Sequence, residues 1–175
     1  MKLHLGCGEK YLHGFKHVDI LPFDHVDYKT DINNLSIFND STVSEIYACH
    51  VLEHIKRADI QNVLKEWYRV LEVNGILRLA VPNFEAIVQE YLQNNNLSKL
   101  QGLLYGGQNY EYNFHYIAFD FNSIKSLLED VGFKLIERYD WREFLPLGFD
   151  DYSRAYLPHM DQKGRLMSLN VIAYK

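Results

Sequence analysis

The chain has only two cysteines, Cys7 and Cys49, in 175 residues, both inside apolar strand-like segments. A disulfide framework is therefore excluded, and two reduced, buried thiols are expected. Only four prolines occur (Pro22, Pro82, Pro146, Pro158), and no Gly/Ser-rich stretch, repeat or low-complexity segment is present. With no linker and a length inside the range of roughly 100–200 residues for one core, a single domain over residues 1–175 is expected. No run of apolar residues exceeds four, as in Ile46-Tyr47-Ala48-Cys49. That is far from the ~20 of a membrane-spanning helix and too short for a signal-peptide core, so a soluble, cytoplasmic protein without membrane contact is expected. Basic residues are scarce and unclustered: 18 Lys and Arg against 23 Asp and Glu, a net charge of −5. A nucleic-acid partner, which needs a basic stripe to displace counterions, is not expected.

Aromatic side chains make up 14% of the chain, and 13 of them are tyrosine. Around them the periodicity alternates. Strand-like segments at 2–5, 17–20, 26–32, 44–50, 76–81, 133–139 and 167–174 are separated, from residue 60 onward, by runs with helical spacing. Ile60, Val63, Leu64, Trp67, Val70 and Leu71 recur at offsets 0, 3, 4, 7, 10 and 11, one helix face, which Asn74-Gly75 would stop. Phe84, Ile87, Val88, Tyr91 and Leu92 predict a second helix with Asn83 as its cap, and Ile124, Leu127, Leu128 and Val131 a third, with Asn122 as cap and Gly132 past its end. Such alternation predicts an α/β fold: an open, mostly parallel seven-stranded sheet with helices on both faces and an antiparallel last strand.

Ligands of such sheets sit beyond the carboxyl ends of the central strands, on the first strand-to-helix loop. Here that loop is Gly6-Cys7-Gly8-Glu9-Lys10. A dinucleotide fingerprint would continue to a third glycine, where Tyr11 stands, and would open into a helix that holds pyrophosphate. Only 13 residues separate Gly6 from Asp19, against about 20 to the ribose carboxylate in dinucleotide folds, so residues 9–13 predict little more than a turn. A ligand without phosphate has no need of a helix dipole. S-adenosylmethionine (SAM), an adenosine joined to a sulfonium amino acid, is such a ligand, and Asp19 supplies a carboxylate that accepts from both ribose hydroxyls.

The segments KLHLGCGEKYLHGFKHVDI, SEIYACHVLEHI and EWYRVLEVNGILRLAVPNF closely resemble the class I SAM-dependent methyltransferases, in particular a compact, type-11-like group with a shortened first loop. The resemblance runs across nearly the whole chain and implies a Rossmann-like fold. It implies further that Gly6, Cys7 and Gly8 line the methionine portion of SAM and that Asp19 with Ile20 takes the ribose. Asp31 and Ile32 would flank adenine, with Cys49 and His50 near the sulfonium. Two departures stand out: His4 where the family more often has an acid, and Lys10 in place of the third glycine of G-x-G-x-G.

Methyl transfer is an in-line displacement that mainly requires positioning and no metal, so no metal is expected. A hydroxyl or amine acceptor still has to lose a proton. His115, in the polar-aromatic insertion GGQNYEYNFHY, is the foremost candidate base, followed by His50 and His54. The expected acceptor is a small or medium polar molecule, for example a sugar or sugar-linked metabolite. Two other readings stay open: a SAM-binding regulatory or scaffold module without chemistry, with a homodimer covering the cleft, and a zinc hydrolase in which His50, Glu53 and His54 form H-x-x-E-H. The segment 150–159, with Asp150, Asp151, Arg154 and His159, is expected over the same end of the sheet. So are two aromatic stretches, 105–121 and 139–156, forming a substrate wall, while Trp67, Leu71, Phe84 and Phe133 are expected in the core.

Overall fold

The structure, a computed structural model, describes residues 1–158 and 161–175; His159 lies outside them. Among the described residues there are nine strands: β1 (Lys2–Leu5), β2 (Lys16–Asp19), β3 (Tyr28–Lys29), β4 (Val43–Cys49), β5 (Leu71–Pro82), β6 (Lys134–Arg138), β7 (Tyr156–Leu157), β8 (Arg165–Leu166) and β9 (Ser168–Tyr174). Seven of them form one sheet in the order β3-β2-β1-β4-β5-β9-β6, and β7 pairs with β8 alone. Pairings from β3 to β5 are parallel, whereas β9 runs antiparallel to both β5 and β6. The strand order reverses between β1 and β4, so the crevice of an open α/β sheet falls at Gly6 and His50.

Period-two alternation sorts the central strands onto two faces. Leu3, Leu5, Ile46 and Ala48 join the main core, whose other side is built by α1 (Ile60–Val70) and α4 (Phe121–Val131). Tyr47 and, beside it, His4 face the opposite way, where Leu12, Trp141, Leu145 and Tyr156 form a second cluster. A third, smaller cluster joins α2 (Phe84–Asn94) and α3 (Gln101–Tyr105) through Ala86, Ile87, Leu100 and Met167.

Local chemistry explains where the boundaries moved. Leu71 leaves the helix in extended geometry and begins β5, and Asn74, at φ 64°, sits in a register shift of that strand instead of ending the helix. The Asn83 cap is present, with its side chain accepting from the Glu85 and Ala86 amides at 3.2 and 3.5 Å. Helix α4 is capped by Asp120, not Asn122. Asp120 accepts from the Ser123 amide at 2.8 Å while the Ser123 hydroxyl reaches back, a reciprocal box that Asn122 cannot make from inside the first turn. Trp67, Leu71 and Phe133 are buried as expected, but Phe84 is 42% exposed, because Ala86 and Ile87 take the inward positions of α2.

Candidate cofactor and acceptor site

The first loop is fastened at both ends. Gly6 donates to the Val18 carbonyl at 2.8 Å, and Gly8 to Asp19 Oδ2 at 2.8 Å. Leu21 donates to the other Asp19 oxygen, also at 2.8 Å. Gly6 and Gly8 both hold φ in the left-handed region, at 59° and 53°, where a side chain is disfavoured. A Cβ on Gly6 would come within 2.5 Å of Val51, whereas one on Gly8 would stand in open space. No helix forms between β1 and β2; a turn from Lys10 N–H to the Cys7 carbonyl at 3.0 Å replaces it.

The open space is a cavity of about 450 Å³, within the range of small-molecule sites. Gly6, Gly8, Asp19 and Ile20 line one side, and Asp31 and Ile32 continue it. Trp67 holds this last pair in place by donating from Nε1 to the Ile32 carbonyl at 2.9 Å, a supporting role across 35 residues that its core-like spacing did not disclose. Cys7 and Cys49 are not on the cavity wall: the Cys7 side chain is buried, and burial, reinforced by Asp19, pushes its thiol up to about 12. Burial also pushes the Cys49 thiol well up, so neither cysteine is a nucleophile near neutral pH.

His50, Val51, His54, Tyr110, Tyr112 and Tyr116 are on the remaining cavity wall. His50 sits at φ 53°, a strained value for a side-chain-bearing residue, while its amide continues the ladder to the Ala80 carbonyl at 2.7 Å. Its Nε2 is 3.3 Å from Ser168 Oγ, and from Ser168 a buried chain of hydrogen bonds runs through Asn170, Ser153 and Asp151 to the Tyr47 hydroxyl. Segment 150–158 therefore braces the strand end from beneath, with Asp151 buried in the brace. Asp150 and Arg154 form a loose pair at 3.8 Å.

Glu53 and His54 lie on a 3-10 turn, Leu52–His54. His50 is at the strand end and not one helical turn back, so H-x-x-E-H does not present its two histidines from one helix. The histidine brought to Glu53 and His54 is His115. His115 is absent from the cavity wall; its ring packs edge-on to His54, with centroids 4.8 Å apart, and its Nε2 is 4.0 Å from Glu53 Oε1. Burial keeps this group uncharged. It lowers His50 to about 3 and His54 to about 4, lowers His115, and raises Glu53 to about 8. His50 Nδ1 is 3.3 Å from Glu53 Oε1 but off the hydrogen-bond direction, so both Glu53 oxygens lack a hydrogen bond among the described residues. His50 and Glu53 therefore form a neutral contact, not an ion pair.

The aromatic stretches divide. Tyr110, Tyr112 and Tyr116 line the cavity, but Phe119 is core. In the second stretch Trp141 and Tyr156, with Phe144 and Phe149 against them, pack in the cluster under Tyr47. The expected wall is thus built from the first stretch, and most of the second covers the far face of the sheet.

Residues 15–79 match a family described as a methyltransferase domain. No curated protein sequence matches the chain. Among solved structures, a SAM-dependent methyltransferase from Archaeoglobus fulgidus superposes with a TM-score of 0.60 at 15% identity, over 99% of this chain and 85% of that one. One from Methanosarcina mazei gives 0.57 at 16%, over 99% and 91%. Burkholderia thailandensis 1,6-didemethyltoxoflavin-N1-methyltransferase, with that substrate and S-adenosylhomocysteine bound, gives 0.61 at 15%, over 99% and 70%. The chain therefore has the fold of the class I SAM-dependent methyltransferases, and its residues 15–79 resemble part of a methyltransferase domain. The cofactor of that class is S-adenosylmethionine.

Proposed function

We propose that this protein is a single-domain, cytoplasmic methyltransferase that moves a methyl group from SAM to a small or medium polar acceptor of the sugar or sugar-linked kind, not to nucleic acid. One observation carries the reading: the glycine loop of β1, tied by Gly8 to Asp19, forms the floor of a cavity whose opposite wall bears His54 and three tyrosines. The cavity suits the cofactor because Gly8 leaves its wall open where a Cβ would intrude, and Asp19 keeps unused lone pairs for the ribose hydroxyls. Gly6, Cys7 and Gly8 would hold the methionine portion, Ile20 the ribose beside Asp19, Asp31 and Ile32 the adenine, and Cys49 with His50 the sulfonium end.

When bound, SAM supplies an electrophilic methyl group. The chain's contribution is mainly alignment, which can account for about 7–11 kcal/mol of a barrier. Tyr110, Tyr112 and Tyr116 offer ring faces with hydroxyl tips, matched to a ring-like acceptor with hydroxyls. His54 is on the cavity, and its Nδ1 meets the Phe114 carbonyl at 3.1 Å, the tautomer that leaves a lone pair on Nε2. Burial makes it a weak base, yet sufficient for an oxygen that becomes strongly acidic as the methyl group arrives. Both His50 nitrogens face fold partners, and His115 stands one layer behind with its ring against that of His54, so His115 positions His54 and His50 stays with the fold. Calorimetry with SAM, followed by turnover with a panel of hydroxylated acceptors, tests the reading. Absence of SAM binding defeats it. Binding without turnover of any acceptor favours a SAM-binding module, whose cleft a second copy of the chain would cover.

A further inference from the structure

We propose that Glu53, His54 and His115 bind a divalent transition-metal ion of the zinc class beside the cleft. A nitrogen of each imidazole and a carboxylate oxygen of Glu53 lie within 4.8 Å of one another. Zinc holds its nitrogen and oxygen ligands at about 2.0–2.2 Å, so side-chain movements of about an ångström close the set. Two imidazoles and one carboxylate make a donor set that suits zinc and its neighbours and leaves coordination positions open.

Three observations separate this cluster from ordinary packing of polar side chains. Both imidazoles are already oriented as ligands are: His54 Nδ1 is 3.1 Å from the Phe114 carbonyl and His115 Nδ1 is 3.0 Å from the Leu103 carbonyl. Metal-bound histidines use such a bond to fix the tautomer, leaving Nε2 for the ion. The second observation is Glu53 itself, fully buried with neither oxygen hydrogen-bonded among the described residues. Buried polar groups nearly always have a partner, and an ion is one of the standard explanations when none is visible. The third is backbone preparation. Tyr116 donates to the Glu53 carbonyl at 2.8 Å and His115 to the Tyr105 carbonyl at 3.1 Å. Gly106 lets the insertion close this tightly, since a Cβ there would meet the Asn113 carbonyl at 2.5 Å and the His115 ring at 3.1 Å.

An ion at this position pins the insertion, and with it Tyr110, Tyr112 and Tyr116, to the turn after β4. An open coordination position would accept a hydroxyl oxygen of the acceptor, and that part rests on the methyltransferase reading; with the ion in place His54 is a ligand instead of a proton acceptor. The metal site itself does not depend on that reading. The test uses full-length protein stripped with a chelator and titrated with zinc by calorimetry and with cobalt(II) by visible absorption, in the absence of SAM. One ion per chain and tetrahedral cobalt bands are expected. Zinc affinity should fall by at least about tenfold in Glu53→Gln, His54→Ala and His115→Ala, with His115→Gln as a second variant should the alanine fail to fold. His13→Ala, at an exposed histidine, should bind as the natural chain does. Zinc should also raise the melting temperature of the natural chain, and at the same concentration raise that of His115→Gln by clearly less. No stoichiometric uptake, or uptake unaltered in all the ligand variants, overturns the site. SAM titration of the stripped protein is read separately: SAM binding without metal uptake defeats only the metal site, and metal uptake without SAM binding only the methyltransferase reading.

Discussion

Gly8 donates its backbone N–H to Asp19 Oδ2 at 2.8 Å, so one carboxylate at the end of β2 both shapes the glycine loop and faces the cavity. Its other oxygen accepts from Leu21. Asp19→Ala removes the ribose acceptor and frees the loop. Hydrogen bonds to a charged group are worth about 1.5–3 kcal/mol, which translates into a fall of about 10- to 100-fold in SAM affinity. Asp19→Asn, with one accepting oxygen, should lie between. Calorimetry on both variants, with circular dichroism to verify the fold, decides; unchanged affinity in Asp19→Ala removes Asp19 from the cofactor site.

The two loop glycines should separate stability from binding. Gly6→Ala places a methyl group 2.5 Å from Val51 at a φ of 59°, so steric overlap adds to a left-handed penalty of roughly 1–2 kcal/mol. Gly8→Ala meets nothing and bears the backbone penalty alone. Urea denaturation should show Gly6→Ala as the less stable variant. SAM titration should show Gly8→Ala weakened beyond its small stability loss, because its methyl group enters the cavity.

The sheet class, mostly parallel with an antiparallel last strand, was legible in the alternation of strand and helix spacing, and so were the glycine loop and the carboxylate 13 residues beyond Gly6 that line the cavity. Long-range partners were not. The Trp67 bond to the Ile32 carbonyl joins residues 35 positions apart, and the chain from His50 to Tyr47 passes through Ser168, Asn170, Ser153 and Asp151, which no local pattern connects. His115 stood out as a histidine in a polar-aromatic loop, but its distance from the cavity depends on how Gly106 turns that loop back. Asn122 and Asp120 are both good caps; only the reciprocal Ser123 contact decides between them.

His4 should make the protein acid-sensitive. It is buried on β1 among His17, His25 and Tyr47, and burial, then the neighbouring histidines, lowers it to about 3. Unfolded, it titrates near 6.5. Between those values the unfolded chain takes up a proton that the folded chain refuses, so the contribution of His4 is complete above about pH 6.5 and declines as pH falls toward 3. At pH 5 the loss from this group is about 2 kcal/mol, from roughly 1.4 kcal/mol per unit. Urea unfolding of the natural chain and of His4→Gln at pH 7 and pH 5 should show a smaller pH effect in the variant; equal effects would exclude His4 as the source.

The division of the aromatics predicts two kinds of variant. Trp141 is 8% exposed, and the guanidinium groups of Arg142 and Arg154 stand 4.5 and 4.8 Å from its ring centroid. Trp141→Ala removes a large buried side chain from the cluster beneath Tyr47 and should lower stability by about 3–5 kcal/mol. Tyr116 is 46% exposed and lines the cavity, so Tyr116→Ala should leave the melting temperature nearly unchanged while raising KM for the acceptor. Tyr116→Phe separates the ring from the hydroxyl: KM restored by phenylalanine assigns recognition to the ring face, and KM still raised assigns it to the hydroxyl. If Trp141→Ala proves as stable as the natural chain and instead weakens acceptor binding, the second aromatic stretch belongs to the acceptor wall after all.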